Sequence, residues 1–219
     1  MPNFAEQLEA TVATLARPLR PEDGEPEASL ANAEEHLGVR LPQVLRDYHL
    51  LSGRFDRFNR SHNRLLRPDE WFLDGGKLVF LEENQGVVYW GVDATLSPGE
   101  YSPVYQGPNI QGQPTEWYLE HENLSEFLLV HLHLQAVWGG YDFMGGAGIS
   151  IPALEEFLVG WTFSGQVNEL RAYDRKGGAA CVLEEGGEES QLYFGGWTEQ
   201  DFESIESDLR RVGVKIEHY

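Results

Sequence analysis

The stretch "AEEHLGVRLPQVLRDYHLLSG", Ala33 to Gly53, decides how the chain is read. It holds histidines, carboxylates and arginines, so it could be a site or a scaffold. Its punctuation favours scaffold. Gly38 follows an apolar helical pattern, where glycine takes the left-handed stop without a Cβ penalty. Pro42 sits at the first turn of the next helix, where its missing N–H costs nothing. Leu41, Leu45 and Tyr48 then fall on one helical face, Leu51 follows, and Gly53 ends the run. The expectation is two short helices with Leu41, Leu45 and Tyr48 buried, and with Glu34, Glu35, Arg46 and Asp47 solvated.

Working outward, Phe4, Leu8, Val12 and Leu15 predict an amphipathic helix over 3–16. Pro18, Pro21, Gly24 and Pro26 form a breaker-rich link, and Leu30, Ala33 and Leu37 face inward from the helix that follows. Residues 54–76 read as a long arginine-rich loop with a short strand at Trp71-Phe72-Leu73. "KLVFLEENQGVVYWGVD" reads as a hairpin around Asn84-Gln85-Gly86, and "SPVYQG" and "TEWYLEH" as two further strands. Asn123 caps a helix to about Trp138, with Glu126 as its capping-box partner. "GGYDFMGGAG" reads as a glycine-rich loop, and Pro152 opens a short helix. Strands are expected near 169–173, 179–184 and 190–195. Thr198 then caps a helix with Phe202, Ile205, Leu209 and Val212 on one face, and "VKIEHY" closes as a strand. "GGKLVFLEENQGVVYWG" (75–91) echoes "GGAACVLEEGGEESQLYFG" (177–195). Chance likeness of two hairpins and a degenerate duplication both account for that.

The 219 residues are 41% hydrophobic and 12% aromatic, enough for a packed core. The single Cys181 makes no internal disulfide, which fits a reducing compartment. The first residues lack a basic stretch followed by an apolar one, and "FLLVHLHLQAVW" is too short to span a bilayer, so a cytoplasmic protein with no membrane partner is expected. A net charge of −20 repels nucleic acid and favours a basic partner. The charge is also unevenly placed. Between Lys77 and Arg171 there is no Lys or Arg across 93 residues, while that span holds twelve carboxylates. Just before it, Arg54, Arg57, Arg60, Arg64 and Arg67 crowd into fourteen residues. Local pairing of the two blocks and an acidic docking face both fit this distribution.

No motif makes a strong case for chemistry. His131 and His133 lie two apart on an expected helix, where they diverge by about 200° and do not share a metal. His36 and His49 lack zinc-ligand spacing. Cys181 sits in a strand, away from any base or oxyanion hole. "GGAG" at 145–148 lacks the Lys-Ser/Thr of a phosphate loop. Glu82-Glu83, Glu155-Glu156 and Glu184-Glu185 raise glycoside hydrolysis, but adjacent strand residues point to opposite faces. No catalytic residue, metal or cofactor is expected.

"AEEHLGVRLPQVLRDYHLLSG" resembles the opening of the SUKH superfamily, which groups bacterial toxin-immunity proteins with fungal cell-wall regulators of the Smi/Knr type. Glu34, Leu37, Gly38, Leu41, Pro42 and Gly53 carry the pattern. "VFLEENQGVVYWGVD" and "NLSEFL" at 123–128 continue it, so the resemblance spans roughly residues 26–138. It implies an α+β fold, with helices packed around a mainly antiparallel twisted sheet, and binding rather than catalysis. The organisation expected is an N-terminal helix and linker over 1–25, a SUKH-like core over 26–160, and an α+β extension over 161–219. The leading functional expectation is an immunity protein that docks a basic toxin domain, such as a nuclease. A regulatory module of the Smi/Knr type and an acidic carbohydrate-active enzyme are the alternatives. Charge and expected exposure select Glu82, Glu83, Tyr89, Asp93, Glu100, Glu116 and Trp117 as the docking residues.

Overall fold

A computed structural model describes residues 3–95, 102–184 and 186–218. The fold is α+β, and its two sheets are antiparallel throughout. The chain opens with α1 (Phe4–Leu15), α2 (Glu27–Leu37), α3 (Gln43–Ser52) and the single turn α4 (Asp56–Asn59). The first sheet follows: β1 (Arg64–Leu65), β2 (Phe72–Asp74), β3 (Lys77–Glu82), β4 (Val88–Asp93), β5 (Val104–Pro108) and β6 (Tyr118–His121). Its order is β1-β3-β4-β5-β6, and β2 also pairs with β3. Next come α5 (Leu124–Gln135), β7 (Phe143–Ser150), α6 (Ile151–Phe157), β8 (Thr162–Val167), β9 (Leu170–Arg175), β10 (Gly178–Glu184), β11 (Glu189–Gly196), α7 (Glu199–Arg211) and β12 (Glu217–His218). The second sheet runs β12-β7-β11-β10-β9-β8, so it draws β7 from before residue 160 and its other strands from after it.

The helix α5 separates the sheets. Phe127 meets Phe80 and Trp90 of the first sheet, while His133 bonds Asp174 of the second. Leu124, Phe127, Leu128, Leu129, Val130 and Leu132 are all buried, as expected of a helix covered on several sides. Strand β10 shows why its residues are small. Ala179 and Cys181 join the core with α5, whereas Ala180 and Val182 join Phe202, Ile205 and Leu209 of α7 on the other face.

The helix stops stand as read. Leu41, Leu45 and Tyr48 are buried, and Gly38 is left-handed at φ 67°. Two of the charges do not behave as expected. Glu34 is largely buried: Oε1 accepts from the Leu41 N–H at 2.9 Å and Oε2 from Arg46 Nη1 at 3.0 Å. Arg46 also pairs with Glu27. Together these bonds pin the α2–α3 corner, so Glu34 and Arg46 belong to the scaffold. Glu126 is not the capping-box partner either. Asn123 Oδ1 accepts from the Ser125 and Glu126 N–H groups, while the Glu126 carboxylate accepts from the Gln166 N–H at 3.0 Å and faces His121 at 3.2 Å.

The run expected as a glycine-rich loop includes strand β7. Its neighbours on both sides explain Gly145. A Cβ on Gly145 would lie 2.7 Å from the Glu217 carbonyl and 3.1 Å from the Phe194 ring. Close strand and side-chain approach sets the residue at that position.

The segment 54–76 is ordered by charge pairs and one amide. Arg54 pairs with Glu25, Arg57 with Asp142, Arg60 with Glu70, Arg64 with Glu70 and Glu82, and Arg67 with Asp56. Beneath them lies Gln135, fully buried at the end of α5. Its Oε1 accepts from the N–H groups of His62 (2.9 Å) and Asn63 (3.0 Å). Its Nε2 donates to the carbonyls of Asn59 (3.1 Å) and Asn63 (2.6 Å). Replacing Gln135 with leucine keeps much of the volume and strands all these groups. Unpaired buried polar groups cost about 1–3 kcal/mol each. Urea denaturation should therefore show Gln135→Leu to be less stable by roughly 3 kcal/mol or more.

Candidate functional site

The outer face of the first sheet is the best-formed candidate surface. It is built around glycines. Trp117, just before β6, lies across Gly75, Gly91 and Gly107. A Cβ on these would come within 2.9 Å of Trp117 Nε1, 3.3 Å of Cη2 and 3.2 Å of Cε3 respectively. Their lack of side chains lets the indole lie flat on the sheet. Register places Tyr89 beside Gly107, and Tyr105 between Gly91 and Leu119. Phe72 meets Tyr89 edge to face at 5.3 Å, and Lys77 Nζ lies 3.6 Å from the Tyr105 ring centre. Leu119, at 54% exposure, extends this aromatic floor to the edge strand.

The expected docking residues sort unequally onto this surface. Tyr89 and Trp117 form its floor. Glu82 lies opposite Tyr89 in the register and pairs with Arg64. Asp93 pairs with Lys77 at 2.7 Å. Glu83 is occupied by its own turn, accepting from the Gln85 N–H at 2.8 Å. Glu116 is exposed and accepts from the Tyr118 hydroxyl at 2.7 Å. Glu100 lies outside the described residues, as does Glu185. The negative field here is thus partly neutralised by Arg64 and Lys77. Burial, with Glu82 alongside, pushes the Tyr89 phenol above its ordinary value, while Asn109 donates to its oxygen at 2.6 Å. Phe72, Tyr105 and Leu119 were not among the expected residues. The alternation of "VYQG" and "WYLEH" would have placed Tyr105 and Leu119 on one face with Trp117, had the strand register been known.

The remaining chemistry-bearing groups serve the fold. Ser164, His133 and Asp174 have the composition of a nucleophilic triad but the wrong connectivity. Ser164 Oγ donates to Asp174 at 2.6 Å, not to His133. His133 Nε2 lies 3.2 Å from the same carboxylate oxygen, and its Nδ1 faces the Leu129 carbonyl at 2.7 Å. No imidazole nitrogen is left to take a serine proton. His131 does not share a ligand with His133; it stacks on Phe127 at 5.7 Å. Burial lowers both His131 and His49 to about 3, which makes them neutral core groups. Cys181 is fully buried, and burial pushes its thiol up. Among the described residues, no group of three or more His, Cys, Asp or Glu could hold a metal ion, and no helix is long and apolar enough to cross a membrane.

No protein-family model matches the chain, and no curated protein matches it.

The Asp174 cluster makes a pH prediction. Burial pushes Asp174 up, but hydrogen bonds from His133 and Ser164 outweigh that and hold it below 3.8. A depressed carboxylate stabilises the fold above its unfolded pKa, and that contribution is lost as pH falls through the folded value. The stability advantage of the unaltered chain over Asp174→Asn should be constant above about pH 5 and shrink toward about pH 2. Urea midpoints across that range measure it.

Proposed function

We propose that this chain is a non-catalytic binding protein of the immunity kind, which docks a basic toxin domain through the outer face of its first sheet. One observation carries the reading. An aromatic floor of Phe72, Tyr89, Tyr105 and Trp117 lies beside carboxylates on a chain of net charge −20. Large, rigid aromatics supply most of the energy at protein interfaces, because they bury area at little cost in side-chain entropy. A net negative field speeds encounter with a basic partner and rejects acidic ones. A nuclease suits this chemistry, since its substrate groove is already built for anions. The SUKH-like pattern in residues 26–138 points the same way and suits a cytoplasmic setting.

The role of each residue follows from its pairing. Glu116 is exposed and makes no ion pair among the described residues, so it contributes to long-range attraction. Glu82 and Asp93, tied to Arg64 and Lys77, contribute shape and register more than net charge. Tyr89 and Trp117 are the anchors.

Growth rescue tests the proposal. The chain should protect cells that express a cognate basic toxin domain, sought first in the adjacent reading frame. Glu116→Lys combined with Leu119→Lys should abolish protection, slow association about tenfold at low salt and flatten its salt dependence. Its thermal midpoint should not change, because both side chains are exposed. Undiminished protection by the double variant would remove this face. Failure of the unaltered chain to protect would remove the function.

A further inference from the structure

We propose that the cavity between α2 and the segment 67–71 is a binding site for a small zwitterion, an amino acid or dipeptide. The cavity holds about 520 Å³, within the range of small-molecule pockets. It is lined by Ser29, Asn32 and His36 of α2, by Glu25 and Arg54, and by Arg67, Asp69 and Trp71.

Glu25 carries the argument. Its side chain is only 3% exposed, yet Oε1 has no hydrogen-bond partner among the described residues. Oε2 is occupied, accepting from Arg54 Nε at 2.9 Å. A buried carboxylate oxygen without a donor is costly, and a ligand N–H would relieve it. The opposite deficit lies in the same lining. Arg67 gives Nη2 to Asp56 but leaves its buried Nε without an acceptor among the described residues. Arg54 lines the cavity at 45% exposure, and among the described residues its side chain bonds through Nε alone, to Glu25.

These deficits select the ligand's charge. A simple cation would meet Glu25 Oε1 but would be opposed by Arg54 and Arg67. A simple anion would satisfy the guanidinium groups but face the Glu25 and Asp69 carboxylates. A molecule with an ammonium and a carboxylate a few bonds apart satisfies both deficits with charge-assisted bonds. Ser29, Asn32 and His36 supply polar contacts around it, and Trp71 an apolar wall. Trp71 is held rigidly, with Nε1 donating to the Leu66 carbonyl at 3.0 Å and its ring against His49 at 4.9 Å. The site is thus preformed, which limits the entropy lost on binding.

Isothermal titration of the whole chain with the dipeptide Ala-Ala, its N-acetyl form and its C-terminal amide tests this. The uncapped dipeptide should bind, and each capped form should bind at least about tenfold more weakly, since each removes one charged contact. Glu25→Gln should weaken the dipeptide while leaving the N-acetyl form unchanged. Asn32→Trp, an exposed α2 position that fills the cavity without touching the core, should abolish binding in a folded protein. Absence of binding by the uncapped dipeptide at millimolar concentration would overturn the proposal. So would equal binding of all three peptides, or binding that survives Asn32→Trp. None of these outcomes bears on toxin protection, so this site and the sheet face are tested separately.

Discussion

The buried amide of Gln135 is the constraint around which the rest of the molecule is arranged. A primary amide has two donors and two acceptor lone pairs, and a buried one must satisfy them. Gln135 does so with the segment 59–63, through backbone N–H and carbonyl groups and the Ser61 hydroxyl. Those residues are thereby held against the end of the central helix. The hold extends to both sides. Asn59 accepts from the Tyr48 hydroxyl at 2.7 Å and donates to the Ser52 carbonyl at 2.5 Å, which ties in α3. Asn63 Oδ1 accepts from the Asn84 N–H at 3.2 Å, which ties in the β3–β4 turn. One side chain therefore links the helical layer, the first sheet and α5. The arginine pairs above it are partly exposed and individually weak. They close the surface over a joint that the amide has already made.

This arrangement explains what was legible in the sequence. Helix stops are local, so Gly38, Pro42 and Gly53 could be read directly from chain order. The β3–β4 hairpin and the Thr198 cap are local in the same sense. What could not be read depends on distant partners. Glu34 looks like any exposed acid until Arg46 and the Leu41 N–H close on it. Gly145, Gly146 and Gly148 of "FMGGAGIS" look like a loop until β11 and β12 flank their strand. Strand β8, "TFSGQV", carries little apolar signal because it is an edge strand whose ordering comes from β9. Gln135 reads as one more helix-surface residue. Its significance comes from a loop more than seventy residues earlier in the chain.

The same logic applies to the candidate surface. The acidic run between Lys77 and Arg171 was visible, as were Tyr89 and Trp117. Their common face depends on register, and register depends on three glycines that leave room for one indole. Charge counting overstated the acidity, because Arg64 and Lys77 take up Glu82 and Asp93. The surface is therefore better described as an aromatic platform with a carboxylate margin than as a uniform acidic face. The two meanders, β2-β3-β4 and β9-β10-β11, share turn chemistry yet differ in what covers them. The first keeps an outer face for Trp117, while the second is covered on both sides by α5 and α7. Both central strands are nonetheless buried along most of their length, β3 over residues 78–81 and β10 over residues 178–182.

Amide hydrogen exchange at His62 and Asn63 tests the Gln135 joint most directly. Both N–H groups lie in an irregular segment, where exchange is ordinarily fast. Because Gln135 binds both in the core, they should exchange as slowly as the amides of α5, through global unfolding. Exchange at the rate of an exposed loop, while α5 stays protected, would contradict the account.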